Sequence, residues 1–72
     1  MASGRKGFRV VLEPAEEEPR GWYVATSPDL PGLVTQGNGI DETVANVQEA
    51  IRAYFEGKPP RYSLEVRVVV PV

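Results

Sequence analysis

The run Trp22-Tyr23-Val24-Ala25-Thr26-Ser27-Pro28-Asp29-Leu30-Pro31-Gly32 restricts the possible folds more than any other part of the sequence. Its first six residues alternate in the manner of a half-buried strand, with Trp22, Val24 and Thr26 on one face and Tyr23, Ala25 and Ser27 on the other. Pro28 and Pro31 then fix φ and remove two N–H donors, so the segment between them cannot pair as an interior strand and must form a rigid turn. Beyond the turn, Leu33 to Gln36 has room for a short third strand, and Gly37-Asn38-Gly39 gives a flexible entry into a helix.

The helix is expected from Ile40, Val44, Val47, Ile51, Tyr54 and Phe55, whose spacing makes the apolar stripe of a helix lying on a sheet. Asp41 and Glu42 suit the positive end of its dipole, Gly57 suits the position past its last turn, and Pro59-Pro60 stops it. Ahead of the identifying run, Phe8, Val10 and Leu12 alternate with Arg9, Val11 and Glu13 as a first strand. Pro14 ends that strand, and the acidic segment Ala15 to Arg20 reads as a solvated hairpin loop. From Ser63, Leu64, Val66, Val68, Val70 and Val72 alternate with Glu65, Arg67, Val69 and Pro71 as a last strand. The order is β-β-β-α-β, an α+β fold in which a small antiparallel sheet is covered on one face by one helix. Residues 1–6 read as a frayed tail and 7–72 as a single domain.

One helix cannot cover both faces of a sheet. Val11, Val69 and one of the two adjacent aromatics are left on the open side, and we expect that aromatic to be Tyr23, with the small Ala25 beside it permitting close approach. An apolar patch of Val11, Tyr23, Ala25 and Val69 would mark an interface between copies of the chain. A domain of 72 residues hides only about 60% of the surface its unfolded chain exposes, so oligomerisation to a dimer or tetramer is the available way to bury more. Cysteine and histidine are both missing from the sequence, which removes disulfides, the usual zinc ligands and a thiolate nucleophile. Ten acidic and eight basic residues give a formal charge of -2, without the positive excess that favours direct contact with nucleic acid. No apolar run approaches membrane-spanning length and no signal peptide is visible, so a cytoplasmic protein with no membrane partner and no cofactor is expected.

Taken together, Gly21-Trp22-Tyr23-Val24-Ala25, Pro28-Asp29-Leu30-Pro31-Gly32, Gln36-Gly37 and Glu42 through Asn46 to Glu49-Ala50-Ile51 resemble the HicB antitoxin family in order, spacing and residue type. The resemblance spans Phe8 to Glu56. It implies a partial RNase H-like fold, neutralisation of a small HicA-type ribonuclease that cleaves messenger RNA, and assembly into dimers or higher oligomers. Family members commonly place a threonine before the helix, where Gly39 is a weaker cap by about a few tenths of a kcal/mol. Many also carry a C-terminal DNA-binding segment, whereas this sequence ends at Val72 with its last strand, so operator binding by this chain alone is not expected.

An RNase H-type nuclease would need carboxylates converging on two metal ions. The first strand has no acidic residue at its centre; Glu13 at its end and Asp29 on the turn would be the candidates, with a third ligand drawn from the helix. No metal ligand or catalytic residue is assigned. Ser27 lacks a histidine to activate it and is expected to bond backbone beside Pro28. Asp29 has two readings, a contact with a partner's cationic surface and an Asx-type bond that sets the turn, and Leu30 sits beside it at the turn tip. On the helix, Glu42, Glu49 and Glu56 recur every seven residues, and with Asp41 against Arg52 they form an acidic strip. Carboxylates so arranged can stand in for phosphates on a ribonuclease's RNA-binding surface, chiefly by raising the association rate. Tyr23, Asp29, Leu30, Glu42, Glu49 and Glu56 are the partner-binding candidates.

Overall fold

Strand β1 (Lys6–Pro14) and strand β2 (Trp22–Thr26) pair antiparallel, with Val11 opposite Thr26 and Leu12 opposite Ala25. The computed structural model describes residues 6–15 and 21–70. The frayed tail (apart from Lys6, where β1 begins) and most of the acidic hairpin loop therefore lie outside the described residues. Strand β3 (Val34–Asn38) pairs antiparallel with β2, helix α1 (Ile40–Tyr54) follows, and strand β4 (Tyr62–Val68) completes a sheet of order β3-β2-β1-β4.

The α+β class and element order are as the sequence predicts, but the sheet is mixed. Strand β4 runs parallel to β1, with Phe8 opposite Leu64, Val10 opposite Val66 and Leu12 opposite Val68. The reason is the helical connection. A crossover from β3 through α1 returns the chain to the end at which β3 began, so the next strand runs in the same direction as β3 and β1.

Helix α1 packs chiefly on β3 and β2. Its buried positions are Thr43, Val47 and Ile51, which meet Phe8, Val10, Leu12, Ala25, Leu30 and Leu33 in one core. Ile40 and Tyr54, placed in the apolar stripe by spacing alone, are 41% and 42% exposed. Thr43 takes the inner position instead, and its hydroxyl donates to the Gly39 carbonyl at 2.6 Å, which satisfies the one polar atom it buries.

Pairing parity settles which face of β2 is covered. Ala25 lies opposite the fully buried Leu12, so Tyr23 and Ala25 share the helix side, and Trp22, Val24 and Thr26 share the open side with Val11. This corrects the expectation for Tyr23 and Ala25. Tyr23 packs against the core and Ala25 has no exposure, and the small side chain belongs where the fold's own helix closes on the sheet.

Both ends of α1 have a physical account. Gly39 has φ 90°, a region where threonine is strained, so glycine at this position answers to backbone conformation. The weak cap is supplemented by Glu42, whose carboxylate accepts the Asn38 N–H at 3.0 Å. At the other end Gly57 N–H bonds Arg52 C=O and Glu56 N–H bonds Ala53 C=O, the paired closure in which the residue after the cap turns left-handed. That residue is Glu56, with φ 56°, one position earlier than the glycine suggests.

Candidate functional site

The two prolines create a problem for β1 that the neighbouring side chains solve. Extending the β1–β2 register would set Arg9 opposite Pro28, which has no N–H to give. Ser27 and Asp29 replace the missing ladder. The Ser27 hydroxyl donates to the Arg9 carbonyl at 2.6 Å and accepts the Asp29 N–H at 3.2 Å, while the Asp29 carboxylate accepts the Arg9 N–H at 2.7 Å. The Arg9 guanidinium closes on the same carboxylate from Nε at 3.1 Å and from Nη2 at 2.8 Å. The Asp29 carboxylate is thus engaged within the fold by a two-pronged pair with Arg9, which no local spacing announces. Leu30 is 4% exposed and lies in the core, so it anchors the turn from within.

The Arg9 side chain, and then its backbone N–H, hold the Asp29 carboxyl at about 2, below its ordinary 3.8. A depressed carboxylate stabilises the fold above its unfolded pKa, and that contribution disappears as pH falls through the folded value. Wild-type stability should therefore decline between about pH 4 and pH 2, and Asp29→Asn should flatten this part of the profile. Thermal melts across that range check it. Equal slopes for the two proteins would detach Asp29 from acid stability.

The open face carries Val11, Trp22 and Val24, all half-buried, with Val34 66% exposed at one margin and Val69 39% exposed near the other. Arg9, Glu13, Glu65 and Arg67 stand on the same face by pairing parity. A shallow hollow of about 230 Å³ opens between Arg9, Val11, Pro28, Glu65 and Arg67. No secondary-structure element among the described residues covers this surface. Glu42 and Glu49 are exposed on α1 and Glu56 just beyond it, on the opposite side of the sheet. The geometry therefore separates the acidic strip from the open face, and one partner molecule cannot sit flat on both in a single copy.

A family model described as HicB_like antitoxin of bacterial toxin-antitoxin system matches residues 8–64. The chain belongs to the HicB-like antitoxin family. It is 53% identical over 49 residues to a UPF0150 protein of Thermoplasma acidophilum, covering 68% of this chain and 67% of that one. It is 43% identical over 51 residues to a UPF0150 protein of Archaeoglobus fulgidus, covering 71% and 70%. No solved structure gives a significant match.

The signature residues of this HicB-like chain now have physical roles. The side-chain amide of Asn46 on α1 donates to the Gln36 carbonyl at 2.7 Å, and Gly37 lets the helix backbone come down on β3 at Thr43. No group of three or more acidic, histidine or cysteine side chains placed to hold a metal occurs among the described residues. Of the nuclease candidates, the Asp29 carboxylate is occupied by Arg9 and Glu13 stands on the open face. No helix among the described residues is long and apolar enough to cross a membrane.

Proposed function

We propose that this chain is a cytoplasmic antitoxin that binds a small HicA-type, mRNA-cleaving ribonuclease through its open sheet face and so occludes the toxin's RNA-binding surface. The observation that carries the reading is the position of Trp22. In a family of antitoxins, a large aromatic ring next to Val24, with Val11 farther along the same face, on a side the chain's own helix does not cover, is the kind of anchor that dominates protein–protein affinity. Inhibition is stoichiometric. The chain blocks access, and no catalytic step is assigned to it.

The acidic strip acts at a distance in this scheme. Glu49 is exposed and outside the docking face, so its charge contributes to the field that draws in a cationic ribonuclease. Glu42 also caps Asn38, which makes Glu49 the cleaner probe. Glu49→Lys should slow association a few-fold at low salt, weaken its salt dependence and leave dissociation unchanged. Stopped-flow mixing with the proposed HicA-type ribonuclease is the measurement. A dissociation rate raised tenfold or more would place the helix in contact with the toxin and overturn docking on the open face.

A further inference from the structure

Both edges of the sheet end in a strand, but among the described residues the chain's own side chains bond backbone groups along only one of them. On β3 the Gln36 carbonyl is bonded by Asn46 and the Asn38 N–H by Glu42, so the helix's own side chains engage that edge. Strand β4 is different. Lys6 N–H bonds Arg61 C=O and Val69 N–H bonds Leu12 C=O, which fixes the odd-numbered residues of this segment as those bonded to β1. The N–H and C=O groups of Tyr62, Leu64, Val66 and Val68 therefore point away from the sheet, along an edge that no strand among the described residues pairs. Val66 is 38% exposed there.

We propose that β4 pairs with β4 of a second copy, antiparallel about a two-fold axis at Val66, to make one continuous eight-stranded sheet. The sequence of the strand selects this register. With Val66 opposite Val66 of the second copy, Leu64 falls opposite Val68, and both belong to the helix side of the sheet. Glu65 falls opposite Arg67, and Arg67 opposite Glu65, on the open side. Because the outward-pointing residues form the hydrogen-bonded pairs, each Glu–Arg couple occupies a non-hydrogen-bonded position, where facing side chains come closest. Neighbouring two-fold registers fail. Centring on residue 65 sets two glutamates face to face, and centring on residue 67 does the same with two arginines. An exposed edge with a self-complementary register running to the end of the strand is therefore fitted to a copy of itself, and edge pairing also adds buried surface.

Sedimentation velocity of the purified chain, with no toxin present, tests the proposal, so its outcome is independent of the antitoxin reading. The wild type should sediment as a dimer at high micromolar concentration. Glu65→Arg and Arg67→Glu should each weaken the dimer by roughly tenfold or more, since each converts two attractive pairs into two repulsive ones. An equimolar mixture of the two variants should recover it, because arginine at position 65 then meets glutamate at 67. Val66→Pro deletes only an N–H that faces outward and should give a folded monomer by circular dichroism. A wild-type monomer, or a dimer indifferent to these charge changes and to Val66→Pro, would overturn edge pairing.

Discussion

Gly37→Ala should unfold this protein or leave it barely stable. A Cβ at position 37 would lie 2.7 Å from the Thr43 backbone nitrogen, 2.8 Å from its Cα and 2.8 Å from its hydroxyl oxygen, distances that real Cβ atoms do not reach. Two of the three atoms are backbone of α1, so no rotamer change relieves the clash and the helix must lift from β3. Its lifting loosens Val47 and Ile51, which fill the centre of the core. Overpacking of this kind typically costs about 1–3 kcal/mol and more where backbone must move. A native domain holds only about 0.05–0.15 kcal/mol per residue, so a chain of this size has little to spare. Urea denaturation followed by circular dichroism measures the loss. Gly7→Ala is the control, since an added methyl there meets nothing within 4 Å. Equal midpoints for the two variants would show that the helix does not sit where the structure has it.

Trp22→Ala should weaken toxin binding by roughly thirtyfold or more, mostly through faster dissociation, as expected when an aromatic anchor is truncated. Its effect on folding should be small by comparison. Trp22 lies outside the core cluster on the open side of β2, whereas its neighbour Tyr23 packs against that core. Tyr23→Ala should accordingly lower the urea midpoint, and Trp22→Ala should spare it while abolishing tight inhibition of the ribonuclease. If Trp22→Ala inhibited as well as the wild type, the open face would lose its assigned role. Titrations of ribonuclease activity with each variant, beside their denaturation curves, separate the two effects.

The contrast between these adjacent aromatics shows where the sequence was legible and where it was not. Alternation in β1 and β2, the two prolines and the helical stripe of Val44, Val47 and Ile51 are local patterns, and each appears in the fold at nearly its expected place. Which face of β2 the helix would cover is not local. A shift of one residue in pairing with β1 exchanges the two faces, and the connecting loop of an alternating strand does not reveal that register. The same holds for Asp29, whose partner Arg9 lies twenty residues away in sequence. One signal was available for Arg9, because a proline opposite a strand leaves unpaired backbone groups that nearby Ser27 and Asp29 are suited to satisfy. Gly37 could be read as a flexible link, but its requirement comes from the depth at which Thr43 docks, which only the packed helix defines. The parallel pairing of β4 follows from the crossover and not from its own alternation, which is equally compatible with either direction.

Because Trp22 is the chain's single tryptophan, its emission reports on the open face alone. The most direct test is to titrate the chain with the HicA-type ribonuclease proposed as its partner, recording that emission together with cleavage of an RNA substrate. Docking on the open face predicts a shift to shorter wavelength that saturates at one toxin per chain, in step with the loss of cleavage. Complete inhibition with the emission unchanged would contradict it.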